Sequence, residues 1–337
     1  MIGNFDRTLS DEDVLRRRAS LLQRLHIDGW LLLLLLILGT GSLFILYSAS
    51  GKNIDLLIKQ ASSFGIGMLA VVVIAQFDPR FMARWVPLAY VVGVGLLLVV
   101  ELMGHTAMGA TRWINIPGVI RFQPSELMKI IMPMTIAWYL ARHNLPPRFK
   151  HLLVSLAMIG VPVVLIAKQP DLGTSLLILA SGAFVVFMAG LQWRWIIGAA
   201  AAVVPIAVGM WFFFMHDYQK RRVLTFLNPE SDPLGSGWNI IQSKAAIGSG
   251  GVLGKGWLLG TQSHLDFLPE SHTDFIIAVL AEEFGLVGVC ILLLLYLLLL
   301  ARGLVITAQA QTLFGKLLAG ALTMTFFVYV FVNIGMV

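Results

Sequence analysis

The residues HLDFLPESHTDFIIAVLAEE, from His264 to Glu283, join a polar segment to an apolar helix within a few positions. Asp274 lies at that junction, and the residues after it belong to an apolar stretch that continues to about residue 301. A helix needs about 20 mostly apolar residues to cross a bilayer, and this stretch is longer than that. The pattern predicts a transmembrane helix that begins with a carboxylate at the membrane edge.

The whole chain has the composition of an integral membrane protein. Of its 337 residues, 58% are hydrophobic and only 12% are charged, which excludes an ordinary soluble domain. The net charge of +6 is spread along the chain, so we expect no nucleic acid as a partner. A single cysteine, Cys290, excludes both a disulfide framework and a cysteine metal site.

Apolar segments with short connections predict nine transmembrane helices in one all-α, polytopic bundle. The predicted spans are residues 29–50, 55–76, 84–103, 125–142, 151–167, 172–190, 195–215, 273–301 and 315–337. The short pair around Pro162 and Pro170 is also compatible with a broken or re-entrant element. We expect an N-terminal segment, residues 1–28, and a single transmembrane domain, residues 29–337.

The distribution of basic residues predicts the orientation of the bundle. Connections on the N-terminal side carry about twice as many Lys and Arg residues as those on the opposite side, which favours a cytoplasmic N-terminus. The long polar stretch 216–272 is then extracytoplasmic. It contains Trp238 and Trp257 among glycines, a composition that predicts a loop folded against the bundle.

Within that loop, the run from Ala246 to Gly256 is rich in glycine. Glycines allow close backbone approach or a positive φ. The alternative, a phosphate cradle, finds no support in the spacing, which matches neither a P-loop nor a dinucleotide fingerprint.

Ionisable residues inside apolar segments are costly, so each needs a partner or a function. Glu126 and Lys129 are three positions apart and therefore share a helix face, where they either form a neutral structural pair or line a cavity. Asp171 follows Pro170 and either caps the next helix or faces the same cavity.

Two arginines and two glutamates need further explanation. Arg112 and Arg121 lie in a connection predicted to be external, where they either bind phosphates or headgroups or simply snorkel. Glu282 and Glu283 lie deeper in the eighth span than Asp274. We expect them to be structural, with Lys129 or Lys244 as a partner or with a proton retained on burial.

Asp274 itself has two interpretations, as a carboxylate that favours a helix N-terminus and as a functional group. Its surroundings also invite a metal-site hypothesis, because several histidines and aspartates lie in the external loop. These residues are His216, His264, His272, Asp217 and Asp266. Their spacing matches no metal-ligand motif, so we assign no metal-binding residues.

Several segments together resemble the SEDS family of cell-wall proteins. The segments are FQPSE (122–126), QPDLGTS (169–175), NPESDPLGSGWNIIQSKAAIGSGG (228–251), GKGWLLGTQSHLDFLPESHTDFI (254–276) and AEEFGLVG (281–288). The GTQS and LDFLPE segments resemble the rod-elongation branch of the family more than its division branch. The similarity covers nearly all of the chain after residue 30.

The resemblance implies a ten-helix fold that polymerises lipid II into glycan strands outside the bacterial cytoplasmic membrane. It also implies a class B penicillin-binding protein and other elongation-machinery proteins as partners. Asp274 matches the essential aspartate of the family, and Arg112, Glu126, Lys129 and Asp171 match positions linked to activity or to a central cavity. Because the chain stops at Val337, we expect the tenth helix of the family to be missing.

For the implied reaction, Asp274 is the expected general base, since a carboxylate can take the proton of an attacking sugar hydroxyl. Arg112 and Lys129 are expected to stabilise the departing pyrophosphate, aided by Lys244, Lys255 or a divalent cation such as Mg²⁺ or Mn²⁺. No resident cofactor is assigned. The alternatives are a lipid II flippase and a non-catalytic scaffold for the penicillin-binding protein, for which Asp274 would be dispensable.

Overall fold

The computed structural model describes residues 21–103, 105–107, 110–116, 120–169, 171–215, 217–231, 237–261 and 273–335. The helices are α1 (Leu21–Arg24), α2 (Gly29–Ala49), α3 (Ile54–Ala75), α4 (Pro79–Met103), α5 (Pro124–Leu140), α6 (Phe149–Lys168), α7 (Leu172–Met188), α8 (Trp193–Gly209), α9 (Asp217–Leu227), α10 (Trp238–Gly250), α11 (Ile276–Gln309) and α12 (Leu313–Gly335). Each of the nine predicted spans corresponds to one of these helices. The prediction of an all-α fold is therefore confirmed.

Most of these helices have the length and composition of membrane spans. Within the described residues, seven helices are long and apolar enough to cross a bilayer, namely α2, α3, α4, α6, α8, α11 and α12. Helix α6 continues unbroken through Pro162. Helix α7 is apolar but shorter than these seven helices, and Pro170 lies outside the described residues, so the re-entrant alternative stays a prediction. The protein is a multi-pass membrane protein.

Helix α5 forms the centre of the bundle. Met128, Met132, Ile136 and Leu140, spaced four apart along one face, are completely buried. They belong to a core to which α4, α6, α7 and α12 also contribute. In contrast, α3 has no buried residue along its whole length. Its apolar surface is therefore available to lipid or to another protein chain.

The connection between α4 and α5 contains the strands of the fold that the structure describes. Strands β1 (His105–Ala107), β2 (Ala110–Ile116) and β3 (Ile120–Phe122) form a small antiparallel sheet in that order. We did not predict strands here, although ATRWINI has the mixture of β-branched and aromatic residues typical of a strand. The sheet places Gln123 directly before α5, whose first residue is Pro124, a favoured residue at a helix start.

Helix α11 is interrupted at Gly285, which has φ 64° and ψ −161°. Its register against α2 is fixed at two points. Arg302 pairs with Asp28, and the carboxylate of Glu283 accepts a hydrogen bond from the hydroxyl of Ser48. The stretch of α11 from Glu283 to Arg302 is about 29 Å long, which matches the thickness of a bilayer hydrocarbon core. Residues 276–284 precede the break, and we call them the outer segment of α11.

The predicted extracytoplasmic loop, residues 216–272, contains α9 and α10. Helix α10 packs against α11, so the expectation that this region folds against the bundle agrees with the described residues. The domain boundaries themselves, at residues 28 and 29 and at 216 and 272, stay predictions.

Candidate active site

Asp274 lies in the turn that precedes α11, and its side chain is exposed. The N-cap residue of α11 is Phe275, without a side-chain capping bond, and the first turn of the helix contains no acidic residue. Capping therefore does not explain why a carboxylate occupies this position. An exposed carboxylate is accessible to a substrate, which the functional interpretation requires.

The outer segment of α11 holds Asp274 in place through packing. Phe275 and Ala278 are buried together with Ala246 of α10. Phe275 directly follows Asp274, so the backbone at Asp274 is anchored by a buried neighbour. Helix α10 thus helps to position the carboxylate.

Glu282, also in the outer segment, binds the residues that lead into the loop before Asp274. One of its carboxylate oxygens accepts hydrogen bonds from Lys255 Nζ at 2.7 Å, from the backbone N–H of Thr261 at 2.8 Å and from the Thr261 hydroxyl at 3.1 Å. The Glu282 side chain is completely buried. The segment 262–272 lies outside the described residues, but both ends of it are held by the same stretch of α11.

Glu283 forms a second set of contacts on the neighbouring side. Its carboxylate accepts from the backbone N–H of Leu258 at 3.2 Å and from the Ser48 hydroxyl. Close by, the ring of Trp257 stacks on Phe44 of α2, with the ring centroids 4.2 Å apart. The expectation that Lys129 or Lys244 pairs with these glutamates is wrong, because Lys255 is brought to Glu282 by the turn after α10. Their structural role agrees with these contacts.

The glycine-rich run after α10 forms backbone hydrogen bonds with α11 on both sides of the break at Gly285. The backbone N–H groups of Lys255 and Gly256 donate to the carbonyl oxygens of Glu282 and Glu283, each at 3.0 Å. In return, the N–H groups beyond the break donate to carbonyl oxygens of the glycine run, Leu286 to Gly251 at 3.0 Å and Val287 to Val252 at 3.2 Å. An interrupted helix near lipid must satisfy its free backbone groups within the protein.

This arrangement explains why glycine is needed in the run. A Cβ atom on Gly254 would lie 2.1 Å from the carbonyl oxygen of Glu283, and φ at Gly254 is +78°. The structure thus agrees with the prediction of close approach and positive φ. The described contacts of the run are with α11, so they give the phosphate-cradle alternative no support.

A second polar group lies where α5, α7 and α12 meet. Lys129 Nζ is 2.7 Å from Glu126, as the spacing predicts, and 5.0 Å from the centre of the Tyr329 ring on α12. Gln123 links this group to Asp171, whose carboxylate lies 3.4 Å from the Gln123 amide nitrogen. The other oxygen of Asp171 accepts from the backbone N–H of Thr174, so Asp171 also caps α7.

Along α5, the polar group around Lys129 is followed by an apolar core that extends to Leu140. Lys129 is 15% exposed, and the Glu126 side chain is 54% exposed. Eleven residues separate Lys129 from Leu140, about 16 Å along the helix. Over that distance the buried face of α5 includes Met132, Ile136 and Leu140, and the hydroxyl of buried Thr135 donates to the carbonyl oxygen of Ile131 in the same helix. The polar group is thus bounded by buried, mostly apolar residues on the side of Leu140.

The remaining predicted residues lie elsewhere or outside the described part. Lys244 is exposed on α10, on the element that packs against α11 rather than beside Lys129. Arg112 and Arg121 lie in β2 and β3, and their side chains are outside the described residues, as are His216, His264 and His272. In the described ranges, no group of three or more His, Cys, Asp or Glu side chains is arranged to hold a metal ion.

Sequence reasoning missed several residues that complete these groups. Thr261 and Ser48 hold the two buried glutamates, and Gln123 and Tyr329 connect the helices around Lys129. Neighbours in the sequence do not reveal these contacts. The requirement that each buried charge has a partner did indicate that Glu282 needed one.

Comparison with known proteins extends these observations. Residues 23–337 match the FtsW/RodA/SpoVE family of cell cycle proteins. The chain is 52% identical over 318 residues to the peptidoglycan glycosyltransferase MrdB of Escherichia coli K12, an alignment that covers 93% of this chain and 85% of MrdB. It is 36% identical over 280 residues to a probable peptidoglycan glycosyltransferase, FtsW, of Geobacter metallireducens, with coverage of 81% and 72%.

Solved structures have the same fold. A chain of a peptidoglycan synthase complex that coordinates polymerization and crosslinking superimposes with a TM-score of 0.78 at 31% identity, covering 92% of this chain and 86% of that one. The crystal structure of the rod shape determining protein RodA of Thermus thermophilus gives a TM-score of 0.66 at 26% identity, with coverage of 91% and 84%. Sequence and fold agree, and this chain belongs to the FtsW/RodA/SpoVE family of cell cycle proteins.

Proposed function

We propose that this chain polymerises lipid II into glycan strands, with Asp274 as the general base. Its family and its 52% identity to MrdB make it a peptidoglycan glycosyltransferase. The observation that carries the assignment of the base is the position of Asp274, an exposed carboxylate on a segment that Glu282, Glu283 and α10 anchor. A base must be held within hydrogen-bond reach of the proton that it takes.

In the proposed reaction, the oxygen of an acceptor sugar hydroxyl attacks the anomeric carbon of the donor. Asp274 takes the hydroxyl proton as the new carbon–oxygen bond forms. The bond from that carbon to the polyprenyl pyrophosphate breaks, and the pyrophosphate departs with the electron pair. Because the leaving group is already an anion, no acid has to protonate it, and cations can stabilise it instead.

Arg112 and Lys129 are the cations that we assign to the pyrophosphate, with Lys244 as a further candidate. Lys255 is no longer a candidate, because its Nζ is bound to the buried carboxylate of Glu282. Lys129 keeps Glu126 as its partner, but that glutamate is more than half exposed, so the pair borders on open space.

No resident cofactor is part of the proposal. Any divalent cation, such as Mg²⁺ or Mn²⁺, would enter with the substrate pyrophosphate, and we assign no protein residue to hold it. Polymerisation measured with and without a chelator tests this point.

The proposed setting is the bacterial cytoplasmic membrane, with residues 1–28 in the cytoplasm and the loop 216–272 outside. The distribution of Lys and Arg supports this orientation. We also propose a class B penicillin-binding protein and further elongation-machinery proteins as partners. The similarity to a synthase complex that couples polymerization to crosslinking supports the first of these.

One observation bears on the flippase alternative. A path across the membrane needs polar groups from one face to the other, whereas α5 below Lys129 presents Met132, Ile136 and Leu140 to a fully buried core. This arrangement supports an enzyme that acts from one side.

The experiment is polymerisation of labelled lipid II by the purified protein together with its penicillin-binding partner. Asp274→Asn keeps the shape of the side chain and should reduce the rate by about 10² to 10⁴, the usual contribution of a general base. Asp55→Asn, at another exposed acid, is the matched control and should retain activity. Full activity of Asp274→Asn would refute the base assignment, and transfer of lipid II across vesicles without polymer would favour the flippase.

A further inference from the structure

An apolar groove runs between α2 and α11 and is bordered by α3. It has a volume of about 480 Å³, and we define it by Leu38, Gly41 and Ile45 of α2, Phe64 of α3, and Ile277 and Leu292 of α11. None of the described residues that line it is charged, and among them only Ser42 and Tyr296 carry a hydroxyl group. This lining favours a hydrocarbon ligand.

The groove begins beside the proposed catalytic base. Ile276 and Ile277, two and three residues after Asp274, line it, and so do residues of α11 beyond the break at Gly285. The interruption of α11 thus lets the outer segment and the long part of the helix face one continuous apolar surface. A molecule in the groove would have one end at Ile276, two residues from Asp274 in the chain.

Glycine keeps the groove open on the α2 side. A Cβ atom on Gly41 would meet no atom within 4 Å, whereas one on Gly39 would meet the ring of Phe64 at 2.2 Å. Phe64 is therefore seated on Gly39 and forms a wall, while the space at Gly41 is empty. A volume of this size lies within the range of pockets that bind small molecules.

We propose, on the basis of the function proposed above, that this groove binds the first part of the polyprenyl chain of the lipid-linked substrate. The substrate has a polar pyrophosphate attached to a long hydrocarbon chain, and the two must separate at the membrane edge. An apolar groove that starts at Ile276, two residues after Asp274, and opens toward lipid matches that division.

The first test fills the groove. Gly41→Leu adds a side chain where there is room for it, and Gly67→Leu on α3, where a Cβ likewise meets nothing within 4 Å, is the matched control outside the groove. For lipid II with a full-length chain, Gly41→Leu should raise KM about tenfold with little change in kcat, the pattern of lost uniform binding. With a short-chain analogue the two variants should behave alike.

The second test detects the ligand directly. A benzophenone amino acid at Ser42, which lines the groove, should crosslink radiolabelled polyprenyl pyrophosphate in phosphatidylethanolamine and phosphatidylglycerol vesicles. The same group at Ser62 of α3, which is exposed but outside the groove, should not.

The outcomes separate this inference from the proposed function. If the wild-type protein makes glycan strands but Gly41→Leu behaves like Gly67→Leu, or if Ser42 crosslinks only phospholipid, the groove does not hold the substrate chain. If crosslinking at Ser42 succeeds while no glycan is made, the groove assignment stands and the polymerase assignment fails.

Discussion

Replacement of Gly254 by alanine should be among the most damaging small substitutions in the segment between α9 and α11. The new Cβ would lie 2.1 Å from the carbonyl oxygen of Glu283, a distance that requires the glycine run or α11 to move. In addition, an alanine at φ +78° costs about 1–2 kcal/mol relative to glycine. A displacement that breaks the two hydrogen bonds to the carbonyls of Glu282 and Glu283 costs about 2 kcal/mol more. We expect a total loss of about 3–4 kcal/mol.

Two further glycines provide matched controls. Gly251→Ala is also strained, because φ +58° with ψ −145° is a conformation that almost only glycine adopts, but its Cβ meets nothing, so it should cost about 1–3 kcal/mol. Gly248→Ala lies inside α10 with open space around it and should be neutral or stabilising by up to about 1 kcal/mol.

The assay is reversible unfolding in mixed micelles, followed by the fluorescence of Trp257, whose ring is stacked on Phe44. The free energies of unfolding should rank Gly248→Ala, Gly251→Ala and Gly254→Ala in decreasing order of stability. Equal losses for Gly251→Ala and Gly254→Ala would show that the glycine run does not approach the break in α11 as described.

Two other predictions concern ion pairs. Lys255→Met leaves the buried carboxylate of Glu282 without its cation and should lower the free energy of unfolding by about 3 kcal/mol. The double variant Lys255→Met, Glu282→Gln should lose less in the same unfolding assay. Additive losses would contradict this coupling. At the other end of α11, Arg302 holds the pKa of Asp28 below its usual value of 3.8 through their hydrogen bonds. The stability from this pair should be fully present above pH about 3.8, the unfolded value, and be lost as the pH falls through the lower folded value. Arg302→Ala should remove that pH dependence, which unfolding measured between pH 6 and 2 would check.

Local features of the sequence were sufficient for the spans and for one of the ion pairs. Each membrane helix is a continuous apolar segment, so its existence depends on its own residues and on the bilayer. The pair of Glu126 and Lys129 follows from helical spacing alone. Asp274 was identified because a carboxylate at the boundary between polar and apolar sequence is unusual, and the resemblance to a family agreed.

Only the tertiary structure determines the contacts between residues that are far apart in the chain. Asp28 and Arg302 are 274 positions apart, and Ser48 and Glu283 are 235 apart. No local pattern specifies such pairs, because they form only when α2 and α11 pack in one particular register. The break at Gly285 is of the same kind, since its free backbone groups are acceptable only when the glycine run supplies their partners. The apolar groove, which depends on both the register and the break, could not have been located from the sequence.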